Sequence, residues 1–247
     1  MKELIKKLDT YAYKNGKDFA NVFDSWLDWT IDHWSLDTVL DCKCDLSAVV
    51  ERMRNDNPTF CECYTDVVAY TAKETEKRGW CDAFGTLYEE KVKSGYKASK
   101  MGQFFTPEHL CGLLSEVTVE EDKHALAYDP CCGSGRLLLA AYAKFDKSKF
   151  NYFVAGDLDG ISCKMTAINM MMHGMFGIVE RRNALTGEFF NGYIVNELCY
   201  PIPLPCPSIR KADEDECRKN LEYARSIIPK KTDTAPPKPQ PLNFFNF

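Results

Sequence analysis

Long apolar runs are missing from this 247-residue sequence, and so is an excess of basic residues. The first absence excludes a membrane-spanning helix, which needs about 20 consecutive apolar residues. The opening stretch Met1-Lys-Glu-Leu-Ile-Lys-Lys is too polar and charged for a secretory leader, so a cytoplasmic protein with no membrane partner is expected. The second absence, 31 Lys and Arg against 36 Asp and Glu for a net charge of −5, removes any general attraction to nucleic acid, which rests on clustered cations. A local patch or a partner would have to supply such contact. The spacing of ordinary zinc knuckles is lacking too. Among 12 cysteines, Cys42 with Cys44 and Cys61 with Cys63 stand as C-x-C beside helical patterns. Reduced thiols are the expected state in a cytosolic chain, and no metal site is expected.

What is present is ordinary for a globular protein: 45% hydrophobic and 27% charged residues, in a chain long enough for one substantial core and a smaller second unit. Residues 1–98 read as a helical domain. In 18–31, Phe19, Val22, Phe23, Trp26, Leu27 and Thr30 recur at three- and four-residue steps, and Tyr64, Val67, Val68 and Ala72 repeat the pattern, as do Trp80, Phe84, Leu87 and Tyr88. The Trp and Phe of these stripes could stack on bases, but their helical spacing favours core. His33 has no evident ligand partner. Lys91, Lys93, Lys97 and Lys100 fall in a connection read either as a solvated linker or as an edge that contacts phosphates.

From 125 onward the pattern alternates strand and helix, which argues an α/β fold with parallel strands. Residues 125–128 suit a buried strand and 137–141 the first turns of a helix, so Gly133 and Gly135 occupy a strand-to-helix turn. Glycine there accepts positive φ and lets a ligand approach the backbone, beneath the free N–H groups of the helix start. The strand-like run 152–156 ends in Asp157-Leu-Asp159, an acid placed about 20 residues past the turn, where a doubly wound fold holds a ribose. Asp157 is assigned that role; Asp159 fits a helix N-cap and is left open. A third strand is expected over 178–182 and a fourth over 192–195, in the order 3-2-1-4. The helix 160–173, rich in Met165, Met170, Met171 and Met172, would pack on the sheet.

Several motifs in order carry a family resemblance: Met101-Gly-Gln-Phe-Phe-Thr-Pro-Glu-His-Leu, Asp129-Pro-Cys-Cys-Gly-Ser-Gly, Gly156-Asp-Leu-Asp, Lys164-Met-Thr-Ala-Ile-Asn and Arg182-Asn-Ala-Leu-Thr-Gly. Together they resemble the adenine-N6 DNA methyltransferases of the type I restriction-modification kind, from about residue 83 to about 196. The resemblance implies a Rossmann-like fold dependent on S-adenosylmethionine, whole or as the first half of its sheet, in a domain spanning 99–198 and preceded by a helical bundle that helps to clamp DNA. Thr106 and the backbone from Gln103 through Phe105 to Pro107 would hold the methionine carboxylate, and Asp129 the amino group or its water shell. Cys131 to Gly135 would pass under the cofactor, with Cys131 and Cys132 as small filling. Asp157 would take the ribose, beside Leu158, and Asn183, Ala184 and Leu185 would frame the adenine. Family members more often carry an acid where Asn183 stands.

The family's catalytic element, an Asn or Asp followed by two prolines and an aromatic after the fourth strand, is not matched. Asn196 is followed by Glu197 and Leu198, and the prolines at 201, 203, 205 and 207 come too late. No catalytic residue is assigned. Residues 199–247 form a proline-rich extension with one amphipathic helix over 213–228, through Cys217, Leu221, Ala224, Ile227 and Ile228, and an aromatic end at Leu242, Phe244, Phe245 and Phe247. A sheet ending at its fourth strand would leave an open edge, to be covered by that end of the chain, by a homo-oligomer or by a protein partner. The expected function is an S-adenosylmethionine-binding protein that methylates DNA adenine once a partner completes the base pocket. The alternatives are an inactive adapter docking through its aromatic end, and methylation of RNA or protein.

Overall fold

The computed structural model describes residues 1–93, 105–119, 125–199 and 206–228. Six helices come first: α1 Lys2–Lys14, α2 Phe19–His33, α3 Leu36–Asp41, α4 Leu46–Asp56, α5 Pro58–Arg78 and α6 Ala83–Lys93. Side-chain caps start four of them. Asp18 accepts from the Asn21 N–H, Ser35 from Thr38, Asp45 from Ser47 and Ala48, and Asn57 from Phe60, with Pro58 in the first turn of α5. The α2 stripe is buried from Phe19 to Ile31, and the Trp26 indole donates to the Phe60 carbonyl at 3.1 Å, which ties α2 to α5. Cys61 and Cys63 are buried on α5, and burial pushes the Cys63 thiol up to about 12.

The second part runs α7 Glu108–Thr118, β1 Ala125–Asp129, α8 Arg136–Tyr142, β2 Asn151–Asp157, α9 Gly160–Met172, β3 Phe176–Arg182, β4 Phe189–Val195, a 3-10 turn Glu197–Cys199, β5 Ile209–Ala212 and α10 Glu214–Ile227. This is a mixed α/β architecture around one five-stranded sheet of order β1-β2-β3-β4-β5. β1, β2 and β3 are parallel, whereas β4 runs antiparallel to β3 and β5 antiparallel to β4.

The expected order 3-2-1-4 therefore holds for three strands and fails for the fourth. The reason is loop length. A parallel crossover needs about a dozen residues or more, and β3 is joined to β4 by 183–188 alone, which permits only a hairpin. β4 is accordingly an interior strand, and the open edge expected there is filled by β5. The sequence carries little strand signal at β5, because Ile209-Arg-Lys-Ala is short and carries two cations. Among the described residues the outer side of β1 is unpaired.

One apolar cluster extends from Leu4 to Ile209 and joins the helical part to α8, α9 and one sheet face. Lys164 on α9 reinforces this joint by pairing with Asp24 at 2.7 Å and Asp28 at 2.8 Å on α2. The opposite face is covered by α10, whose Cys217 and Ala224 pack with Tyr152, Val154, Ile178 and Ile194. Asp213 and Glu216 close a reciprocal cap at the start of α10. Among the described residues no helix is long and apolar enough to cross a membrane.

Candidate functional site

The parallel strands end side by side, with Asp129 of β1 opposite Ala155 and Asp157 of β2 opposite Arg181. Between β1 and α8 the chain turns tightly. The Cys132 N–H reaches back to the Gly156 carbonyl at 2.8 Å, and the Gly133 N–H donates to the Asp157 carboxylate at 2.9 Å. The other Asp157 oxygen accepts from the Asp159 N–H at 2.9 Å, and Asp159 itself caps α9 through the Ser162 N–H. Asp129 accepts from the Cys131 N–H at 3.1 Å. Gly133 has φ of 56°, and a Cβ there would lie 2.8 Å from the Phe105 ring, so that ring needs glycine at this position.

Neither Asp129 nor Asp157 has an ion-pair partner among the described residues. Burial raises the Asp157 carboxyl above its ordinary value, against the lowering effect of the Asp159 and Gly133 N–H groups. Burial likewise raises Asp129, with the Cys131 N–H opposing and the Asp157 charge adding to it. Two partly desolvated acids without a cation suit a ligand that brings positive charge and hydroxyl donors. The site thus fits the chemistry of S-adenosylmethionine.

A buried network outside the expected site residues holds this turn. Asp82, fully buried at the start of α6, accepts from Arg136 Nε at 2.8 Å, Ser134 Oγ at 2.5 Å, Asn169 Nδ2 at 2.8 Å and the Gly85 N–H at 2.8 Å. Arg136 also reaches Glu89 at 3.2 Å and the Thr106 carbonyl at 3.1 Å, so one guanidinium ties α6, the segment before α7 and the glycine turn together. Gly85 permits this approach, since a Cβ there would meet the Asp82 carboxylate at 2.1 Å and Ser134 Oγ at 2.4 Å. The available signal was Arg136 itself, a cation in the first turn of a helix, where the dipole disfavours it unless a carboxylate compensates.

The remaining expected residues fall as follows. Phe105 lies against Gly133 and 6.0 Å from Tyr88. Thr106 immediately precedes α7, and Pro107 at its N-cap makes no side-chain cap bond. Cys131 is exposed and Cys132 buried, its Sγ 3.5 Å from Thr166 Oγ1. Leu158 is half-exposed after β2. Asn183, Ala184 and Leu185 form the turn between β3 and β4, at the same sheet end as Asp157. The Asn183 Oδ1 there already accepts from the Leu185 N–H at 3.0 Å and the Thr186 N–H at 3.3 Å, and Leu185 is 97% exposed. Gln103, Lys97 and Lys100 lie outside the described residues.

Asn196 is elsewhere. Because β4 is antiparallel, Val195 pairs with Gly177 near the amino end of β3, and Asn196 sits at the sheet end opposite the glycine turn. It is 0% exposed with φ of 57°. Its amide donates towards the carbonyls of Met175 at 2.9 Å, Met171 at 3.2 Å and Met170 at 3.4 Å, and accepts from the Ser208 N–H at 3.1 Å. It brackets α9 to β5 and has no spare group for a substrate. A cavity of about 750 Å³, lined by Val68, Ala72, Met172 and His173 among others, includes none of the strand-end residues.

Residues 80–191 match the model of the family described as N-6 DNA Methylase, a span that takes in Asp82, the glycine turn and the carboxyl ends of β1 to β3. Through this segment the chain is similar to the adenine-N6 DNA methyltransferase family. Among curated proteins it is similar to the methylase subunit of the type I restriction enzyme MpnII from Mycoplasma pneumoniae (strain ATCC 29342 / M129 / Subtype 1), with 28% identity over 142 residues, 54% of this chain and 26% of that protein. The chain therefore spans about a quarter of the length of that relative. No solved structure matches the chain.

Proposed function

We propose that the carboxyl ends of β1, β2 and β3 bind S-adenosylmethionine on a Rossmann-like half-sheet, and that the chain methylates DNA adenine when a partner supplies the base pocket. The observation that carries this reading is the pair of uncompensated carboxylates flanking the glycine turn, with Asp157 held by the Gly133 N–H at 2.9 Å. Asp157 would accept from the ribose hydroxyls and Asp129 from the cofactor's ammonium group. The first free N–H groups of α7, beside Thr106, would face the carboxylate. Gly133 and Gly135 let the turn beside the site pack closely, against the Phe105 ring and Thr166. Asn183, with its Oδ1 engaged in its own turn, would meet the adenine through its Nδ2 and the backbone of Ala184 and Leu185. The bound cofactor supplies an activated methyl group on a sulfonium.

Partner dependence is supported by Asn196, which lies at the wrong end of the sheet and is saturated with hydrogen bonds. The same observation favours the second reading, an adapter that keeps the fold without the chemistry. Labelled methyl transfer to duplex DNA separates the two, measured with the chain alone and with a type I recognition subunit added. Transfer only with the added subunit, abolished by Asp157→Ala, is the expected result. Transfer by the chain alone would contradict the need for a partner. Absence of transfer in a complex of demonstrated assembly would favour the adapter.

A further inference from the structure

Arg181 and Arg182 end β3 side by side and are braced alike, yet only Arg182 is neutralised. Alternation along the strand sends them to opposite faces, since Ile178 lies in the core under α10 and Val179 in the core joined by α9. Arg182 turns to the α10 face, stacks on Phe189 with 5.2 Å to the ring centroid, and pairs with Glu180 at 3.1 Å and Glu214 at 2.8 Å. Arg181 turns to the α9 face and stacks on Phe190 at 5.1 Å, while its Nε donates to the Leu158 carbonyl at 3.1 Å. It forms no ion pair among the described residues, and the strands and turn that carry it, 176–195, are described without a break.

A β-bulge builds the brace on Arg181. Asn191 faces Arg181 across the hairpin and Phe189 faces Arg182, which leaves Phe190 as the extra residue of β4. A bulge of this kind re-aims a side chain, and here it lays the Phe190 ring, 43% exposed, against the guanidinium. The position is otherwise a poor one for a cation. Arg181 Cδ and Nε pack 3.7 Å from where a Gly160 Cβ would stand, at the first residue of α9, where the helix dipole is positive. Asp159, the acid beside that residue, gives its carboxylate to the Ser162 N–H. A preorganised cation kept at such a place, with its terminal nitrogens unbonded among the described residues, suits an anion arriving from outside.

We propose that Arg181 holds a backbone phosphate of the acceptor DNA, with Phe190 fixing its guanidinium. This deepens the reading of the strand ends as a methyl-donor site and rests on it. Asp157 is the cross-strand partner of Arg181, so the cation stands one strand, about 4.8 Å, from the acid expected to take the ribose. S-adenosylmethionine carries no phosphate, and its carboxylate is expected beside α7, on the other side of the glycine turn. The anion that Arg181 awaits is therefore not the cofactor's. A net charge of −5 gives no general attraction to DNA, and a local cation of this kind supplies what the composition lacks. One such contact fixes the register of the duplex and carries no sequence information.

Fluorescence anisotropy of a labelled duplex, titrated with the full chain at several salt concentrations, tests this beside calorimetry of the cofactor. Arg181→Ala is expected to weaken duplex binding about tenfold at low salt and to lower the slope of log affinity against log salt by about 0.9, the loss of one phosphate contact. Arg181→Lys should restore the slope but only part of the affinity, because an ammonium lacks the planar fork. Phe190→Ala keeps the charge and so the slope, and should weaken binding about two- to fivefold through loss of the brace. Arg225→Ala, which removes an exposed cation near the far end of α10, should leave affinity and slope as in the parent. All four variants should keep the parent's cofactor isotherm. Unchanged duplex affinity and slope in Arg181→Ala would overturn the proposal, as would a parent that fails to bind the duplex at low salt. Lost cofactor affinity in Arg181→Ala with duplex binding intact would also overturn it, assigning the residue to the cofactor. Absence of cofactor heat in the parent, with the duplex results as expected, would contradict the methyl-donor reading and leave the phosphate contact standing.

Discussion

Asp157 closes β2 at one end of the sheet and Asn196 follows β4 at the other, and their surroundings differ in a way that separates a carboxylate with spare acceptor capacity from a saturated scaffold group. Asn196 is fully enclosed and every polar atom of its amide has a protein partner. Asp157 is partly enclosed, accepts two backbone N–H groups, and keeps a charge that no cation of the described chain neutralises. Asp82 belongs with Asn196, since its four donors include a guanidinium. A saturated polar group stabilises the fold; one left with spare acceptor capacity and a raised pKa lowers apo stability while offering a ligand something to bind.

Substitutions at the two kinds of group should therefore separate stability from affinity. The largest effect is expected at Asp82. Asp82→Ala leaves Arg136 buried without its main partner and should cost about 3–5 kcal/mol in denaturant unfolding, bringing the glycine turn down with the fold. Next, Asn196→Ala orphans the Ser208 N–H and the methionine carbonyls, for a loss of about 2–3 kcal/mol, while cofactor affinity stays within about twofold of the parent. A large loss of affinity there would break the contrast. Asp157→Ala should do the reverse, weakening S-adenosylmethionine about 10- to 100-fold, the range for a hydrogen bond to a charged group, with little change in apo melting.

The smallest expected effect sharpens the contrast by pH. Because burial raises Asp129 and Asp157 in the folded state, their contribution to stability is complete below the ordinary carboxylate value of about 3.9. It is lost as pH rises through their raised values. Affinity for a cofactor bearing an ammonium group should move oppositely and increase over that same window, since the ligand favours the ionised acids. Melting and binding followed together from about pH 4 upward would reveal the crossing trends. In the Asp157→Asn variant both slopes should shrink.

Much of this was legible in the sequence because it is local. The α2 stripe, the strand ending at Asp157, the glycine turn and the helix over 213–228 each declare themselves within a window of about 15 residues. Three things were not. The place of β4 depended on the loop 183–188 being too short for a crossover, and the apolar run 192–195 is indifferent to direction. The role of Asn196 followed from that placement, since an antiparallel strand carries its end to the opposite side of the sheet. Asp82 and Arg136 are 54 residues apart, and neither position alone reveals a buried pair. The open edge expected at β4 is filled by β5, and among the described residues the unpaired edge is that of β1, for the same topological reason.

The measurement closest to the central claim is titration calorimetry of S-adenosylmethionine into the purified chain and its Asp157→Ala variant. A saturable one-site isotherm for the parent, weakened at least tenfold in the variant, is predicted. At about 100 times the dissociation constant the cofactor should also stabilise the parent by roughly 2.7 kcal/mol. Equal affinity in the two proteins, or no heat at millimolar cofactor, would contradict the account and leave the strand ends as scaffold.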